Sequence, residues 1–315
     1  TGNGSADHAI TLPGDTDMSP NIVWIKNRDA TDEHCIFDTV RGATQLSHFN
    51  SQGDEVTDAD TLDSFTSDGF QVDADVKVNT NTEKYVAWCW KESATAGLDI
   101  VGYTGNATAR TIAHNLGVVP KTVWIGSRGN NGWRPSTENI TGTDQASLKF
   151  FNNSAEGTGY FPATAPDASN FSLSSHGSVN DDGVGHIAYV FAPIQGFSKF
   201  GVYQGNNNAD GTYIHLGFRP AFLMVKCSSD GSTNWVILDN KRSSSGGANT
   251  NDIWLYANTT GADVDQASNP TDFLSNGIKM RNNGGYLNAA GRTYTFMAFA
   301  EAPLVNSNGV PCNAR

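Results

Sequence analysis

Pro20, Pro120 and Pro220 each open a short apolar run, IVWIK, TVWIG and FLMVK, so the chain returns to one local pattern about every hundred residues. Other anchors keep the same order. Tyr103-Thr104-Gly105-Asn106 and Tyr203-Gln204-Gly205-Asn206 stand 17 residues ahead of their prolines, counted from the tyrosine, with His114 and His215 in between. Asn79, Asn180 and Asn288 each precede by six residues a run of aromatic and β-branched character, YVAWCW, HIAYVF and YTFMAF. A repeat of this length is domain-sized, against roughly 20 to 50 residues for the units of solenoids and propellers. The expectation is three homologous modules, 1–96, 97–196 and 197–303, followed by a tail over 304–315. At about 100 residues each, they are large enough to bury separate cores.

Thr1-Gly2-Asn3 repeats Thr104-Gly105-Asn106, which puts the first residue inside a motif whose tyrosine is missing. The sequence is therefore expected to be part of a longer polypeptide.

Local patterns read as strand almost throughout. Val23-Trp24-Ile25, Cys35-Ile36-Phe37 and Tyr85 to Trp90 are short runs bounded by Gly, Asn and Asp. Asp68-Gly69 and Asn276-Gly277, at equivalent places, suit tight hairpins that need positive φ. With 33 glycines and only 17% charged residues, the chain has the composition of many short strands joined by polar turns. No stretch shows a sustained helical period. The fold expected is all-β: three tandem antiparallel β-sandwich modules of jelly-roll kind. Only Ala192-Pro193-Ile194-Gln195-Gly196 separates two of them, so they should be docked rather than strung on flexible linkers.

Charge is uneven. Residues 1–97 carry 17 acidic and 6 basic side chains, 98–196 carry 7 and 5, and 197–315 carry 8 and 9, giving −11, −2 and +1. An acidic first module makes a poor nucleic-acid surface. No run of about 18 apolar residues suggests membrane insertion. Cys35, Cys89, Cys227 and Cys312 have no metal-ligand spacing and are read as free buried thiols, which suits assembly in a reducing cytoplasm, although Cys35 and Cys89 lie close enough in pattern to pair.

Chemistry is sparsely signalled. Nucleophile-elbow, zinc-protease and phosphate-loop motifs are missing, so no catalytic residue, metal ligand or cofactor is nominated. His114 and His215 sit beside glycine turns and read as structural. Asp58 and Asp60 in GDEVTDADTLDSFTSDG have calcium-loop spacing, but Leu62 takes the next ligand position and the stretch reads as a solvated acidic loop. Asp38 and Arg41 recur as Asp239 and Arg242, while the middle module has Ser136-Thr137, and the pair reads as a structural ion pair. Trp24, Trp88, Trp90 and Trp124 occupy core strand positions. Alternation in Ile253-Trp254-Leu255-Tyr256-Ala257 sets Trp254 and Tyr256 on an outward face, read as an interface between modules or subunits. The candidate ligand residues are Asn130, Asn131 and Trp133 in one Asn/Gly-rich loop, and Asn206 and Asn207 in another, offering amides and one ring for weak polar recognition.

The blocks WIKNRDATDEHCIFDTVRG, SFTSDGFQV, YVAWCWK, VGYTGNATARTIAHNLGVVPK, GTYIHLGFRPAFLMVK, DFLSNGIKM, TYTFMAFAEAP and NSNGVPCNAR resemble an uncharacterised repeat family of tailed-phage virion proteins, especially from phages of marine and cyanobacterial hosts. The resemblance covers nearly the whole chain. It implies a non-enzymatic structural component on the outside of the particle, a tail fibre, spike or capsid appendage acting in host attachment. The partners implied are other virion proteins, further copies of the chain in a trimer, and a host-surface glycan or receptor. Two rival readings stand beside it: a purely architectural decoration or fibre shaft, and a polysaccharide depolymerase.

Overall fold

Each apolar run that follows a repeat proline becomes an inner strand of an antiparallel sheet. The computed structural model describes residues 1–14, 17–136, 147–155, 157–242 and 249–300, together with the backbone of two short strands near the C-terminus. The first segment supplies β1 (His8–Thr11), β2 (Ile22–Asn27), β3 (Cys35–Asp38), β4 (Gly42–His48), β5 (Val56–Thr57), β6 (Leu62–Thr66), β7 (Gly69–Val72) and β8 (Tyr85–Trp90). They form a main sheet, β5-β4-β3-β2-β8, and a smaller one, β1-β7-β6.

The second segment supplies β9 (Leu98–Thr104), β10 (Arg110–Ala113), β11 (Thr122–Ser127), β12 (Trp133–Pro135), β13 (Asn170–Leu173) and β14 (Gly185–Phe191). Its main sheet runs β12-β11-β14-β9 and its smaller one pairs β10 with β13. The third supplies β15 (Ser198–Gln204), β16 (Tyr213–His215), β17 (Pro220–Cys227), β18 (Val236–Asp239), β19 (Thr250–Asn251), β20 (Ile253–Tyr256), β21 (Val264–Asp265), β22 (Thr271–Leu274), β23 (Gly277–Met280) and β24 (Thr293–Ala300). Here the sheets are β15-β24-β17-β18-β20-β21 and β16-β23-β22-β19. A last pair joins β25 (Leu304–Val305) to β26 (Pro311–Cys312). The protein is all-β, with antiparallel pairing in every sheet. The helices among the described residues are single turns, α1 (Val76–Asn79) and α2 (Gly177–Asn180), capped by Asp75 and His176 side chains that accept from Lys77 N and Ser178 N.

Both faces of the main sheets are buried, which is why β2 and β11 are buried at every position. One face of each packs under its own smaller sheet. Val23 and Ile25 join Phe37, Leu62 and Phe70; Val123 and Ile125 join Phe171 and Leu173; Leu223 and Val225 join Phe273 and Ile278. The opposite face points inward to a cluster that all three segments share, containing Trp24, Trp88, Trp124, Tyr189, Phe222, Met224 and Phe299. Its rings meet edge to face, Trp24–Trp88 at 4.9 Å, Trp124–Phe150 at 4.8 Å and Trp90–Phe222 at 5.7 Å, the geometry that aromatic quadrupoles favour. Burying each large side chain contributes roughly 1.5–3 kcal/mol. Each segment thus has an outer core of its own, and the expectation of wholly separate cores is corrected by this common one. Strand alternation on a sheet buried on both sides requires a continuous apolar run, and the repeat prolines introduce such runs.

Candidate functional site

The polar residues that recur along the chain are drawn into two kinds of internal lock. The first is an asparagine clasp. Asn79, Asn180 and Asn288 are all fully buried. The Asn180 side chain accepts from Asn106 N at 3.1 Å and donates to Thr108 O and Ser174 O. Asn288 accepts from Asn206 N at 3.1 Å and lies within hydrogen-bond reach of Asn206 Oδ1, Asn208 O and Asn282 O. Asn79 accepts from Asn3 N at 2.9 Å and donates to Ser5 O. One buried amide therefore supplies both partners that a Gly-Asn turn needs for its inward-facing backbone groups.

The second lock crosses between segments. Asp38 and Arg41 form a buried ion pair at 2.5 Å, with Arg41 also bonded to Glu55 at 2.9 Å. Tyr189 of the second segment donates to Asp38 at 2.8 Å, and Arg128 bonds Glu55 at 2.6 Å. The same construction joins the first segment to the third. Arg242 bonds Asp239 at 2.6 Å and Asp263 at 2.9 Å, Trp88 Nε1 donates to Asp239 at 3.2 Å, and Arg28 bonds Asp263 at 2.7 Å. Burial opposes the Arg41 charge, yet Asp38, Tyr189 and Glu55 outweigh it and hold the guanidinium pKa above its ordinary value. Burial first, and then Asp38, pushes the Tyr189 phenol well above its usual range, so it remains a donor. The structural reading of the Asp/Arg pair accords with this arrangement.

The third junction, between the third and second segments, is built differently. Ser228 stands where Arg28 and Arg128 stand, Met297 takes the place of Trp88 and Tyr189, and Ser136 lies opposite Val123, where the other segments carry Phe37 and Leu238 rather than the aspartate. Thr137 lies outside the described residues. Trp235 Nε1 reaches Lys149 O at 2.9 Å across this junction. A cavity of about 30 Å³, lined by Ser136, Met224, Trp235, Thr295 and Met297 among others, lies there. That is room for about one water.

Trp133 corrects a sequence expectation. Its ring is fully buried, 4.9 Å from Tyr189, and its Nε1 donates to Ser47 Oγ of the first segment at 3.0 Å, so it presents no stacking surface. A Cβ on Gly126 would lie 2.6 Å from that ring, so the glycine is the space Trp133 needs. At the same strand position the other segments carry buried lysines. Lys26 donates to Asn27 O and Ala30 O, and Lys226 to Cys227 O and Asp230 O, each tying down the following loop. Burial draws the Lys26 pKa down to about 8, against Asp32. Asn130 is exposed and Asn131 half-buried, in the hairpin that ends at Trp133. Asn206 and Asn207 are exposed in the loop that Asn288 clasps, with Asn207 at φ 53°. The structure does not unite the two loops with a ring.

Trp254 is also buried, and Tyr256 is half-buried and stacked on Tyr286 at 5.8 Å. The strand alternates as the sequence predicts, Leu255 and Ala257 entering the shared cluster while Trp254 enters the third segment's outer core. On the face expected to form an interface, Trp254 is covered within its own segment and Tyr256 is partly covered by Tyr286. Cys35, Cys89 and Cys227 are free, with burial raising the Cys89 thiol to about 12; the Cys312 side chain lies outside the described residues. His114 accepts from Leu116 N, and its Nε2 faces Asp167 O. Asp58 accepts from Asp60 N in the acidic stretch, and no metal-sized cluster of His, Cys, Asp or Glu occurs among the described residues. No helix there is long and apolar enough to cross a membrane.

These locks define an all-β repeat protein whose recurrent polar groups brace turns within its segments and bind the first segment to the other two. A family model described as a domain of unknown function, DUF7483, matches residues 1–303, and the chain belongs to that family. No curated protein matches it, and no solved structure does.

Proposed function

We propose that the chain is a non-enzymatic structural component on the outside of a phage particle, a tail fibre, spike or capsid appendage that takes part in host attachment. The resemblance of its sequence blocks to virion repeat proteins supplies the setting. One observation carries the structural part: the recurrent polar residues Asp38, Asp239, Asn180 and Asn288 are engaged within the chain, so the repeat conserves its own scaffold rather than an exposed reacting group. Contact with a host surface falls to the exposed loops at Asn130 and at Asn206-Asn207. Repetition of weak sites can raise avidity by roughly 10² to 10⁴ without a new contact.

Burial of Trp133 favours a second reading, in which the chain is a decoration or shaft that binds only other virion proteins. Purified protein should compete with particles for adsorption to host cells under the attachment reading, and labelled antibody should mark the particle exterior under both. Absence from the particle contradicts both. Release of reducing sugar from host envelope would instead establish the depolymerase, which needs two carboxylates about 5–10 Å apart in a groove.

A further inference from the structure

In the second and third segments the strand that follows the asparagine clasp is held on both edges. β14 lies between β11 and β9, and β24 lies between β17 and β15. Their counterpart β8 pairs with β2 alone among the described residues. Antiparallel register assigns alternate residues to alternate edges. Arg28 N donates to Lys84 O, so Lys84, Val86, Trp88 and Trp90 face β2, whereas the N–H and C=O groups of Tyr85, Ala87 and Cys89 face the open edge. The matching residues bond a neighbour strand elsewhere: Ala192 N donates to Gly97 O and Ala300 N to Phe197 O, which sets His186, Ala188 and Val190 on β9 and Tyr294, Phe296 and Ala298 on β15. Those six residues are all buried, while Tyr85, Ala87 and Cys89 are only half-buried.

Side-chain places are open as well. β9 gives Leu98 and Ile100, and β15 gives Phe200, to the shared cluster. Tyr103 and Tyr203 stack on His186 and Tyr294 at 5.2 and 5.0 Å, and their hydroxyls donate to Val179 O and Leu287 O at 2.6 Å. Tyr85 and Val78 stand at these places in the first segment. The end of the open stretch is fixed too, because Gly2 N donates to Glu83 O at 2.8 Å as Gly105 N does to Val184 O and Gly205 N to Arg292 O, which leaves Thr1 at the place of Thr104 and Gln204.

We propose that the open edge of β8 is a strand-acceptor site, which takes an extended peptide of the β9 and β15 pattern, antiparallel to β8 and supplied by polypeptide outside the described residues. Main-chain hydrogen bonds give such augmentation its strength, and side-chain pockets select the sequence. The occupant carries a large apolar residue at the Ile100 or Phe200 place and, three residues later, a tyrosine opposite Tyr85. An unpaired edge of this kind is otherwise a template for unwanted association.

The test is native-state amide exchange on the 315-residue chain, alone and with a synthetic peptide of residues 198–203, SKFGVY. In the free protein the amides of Tyr85, Ala87 and Cys89 should exchange at least about tenfold faster than those of His186, Ala188 and Val190. The peptide should slow them saturably, and the same peptide N-methylated at Gly201, the residue whose amide faces β24 in the third segment, should not. Equal protection of both sets in the free protein overturns the proposal, as does equal protection by a scrambled peptide or none from SKFGVY at millimolar concentration. Protection that instead grows with protein concentration would assign the edge to a second copy and overturn the occupant named.

Discussion

The Tyr189 hydroxyl and Asp38 Oδ2 meet at 2.8 Å although 151 residues separate them. Both side chains are buried, one in the second segment and one in the first, and Arg41 completes the group. Tyr189→Phe deprives a buried carboxylate of one donor and should cost about 1–3 kcal/mol. Asp38→Ala removes the Tyr189 acceptor as well and leaves the buried Arg41 charge with Glu55 alone, and should cost more, about 3–5 kcal/mol. Urea denaturation reads both, and equal losses would mean that Glu55 alone compensates the Arg41 charge.

Asn288→Ala removes an acceptor for Asn206 N and donors for the Asn206, Asn208 and Asn282 oxygens. The expected loss is about 1–3 kcal/mol, with faster exchange of the Asn206 amide. An unchanged exchange rate there would show that the turn stands without its clasp.

Acid should destabilise the protein between pH 6.5 and 5. His34 accepts from Trp24 Nε1 at 2.9 Å, and its Nε2 faces Tyr256 O at 3.1 Å, so the ring is neutral. Burial, and then the Lys26 charge, holds its pKa well below the ordinary imidazole range. The unfolded chain therefore takes up a proton that the folded one refuses as pH falls below about 6.5. The stability present above that pH declines by up to about 1.4 kcal/mol per pH unit for each such histidine. His48 and His186 are lowered by burial in the same sense. A urea midpoint that stays flat from pH 7.5 to 5, or that keeps its full slope in His34→Gln, contradicts this assignment.

Trp124→Ala and Trp133→Ala should each cost about 3–5 kcal/mol, since both rings lie in the shared cluster. Any fall in host adsorption by Trp133→Ala should then follow the loss of folded protein, as measured by near-ultraviolet circular dichroism. A fully folded Trp133→Ala variant that adsorbs poorly would return that ring to a ligand-binding role.

The strands after Pro20, Pro120 and Pro220 were legible because runs such as IVWIK bury side chains on both sides of one sheet. The same property concealed the packing of Trp254 and Tyr256: alternation names two faces, and only the tertiary fold decides that Trp254 is buried and Tyr256 half-buried. The Asn- and Gly-rich surroundings of Trp133 mimic an exposed loop, although the ring is buried. The signal lay seven residues earlier, where Gly126 stands in place of the lysine at 26 and 226 and leaves room for a ring. Asn79, Asn180 and Asn288 were visible as spacing anchors, but their role depends on loops such as Asn3 and Asn206, more than 70 residues distant in sequence. Long-range pairing of that kind is beyond what local pattern can encode.

The central claim is that three repeated segments around one aromatic cluster, locked at their junctions, behave as a single body. Differential scanning calorimetry tests it most directly. The account predicts one transition with calorimetric and van't Hoff enthalpies equal, shifted to lower temperature as a whole by Tyr189→Phe. Separate transitions for the segments, with Tyr189→Phe moving only one of them, would contradict it.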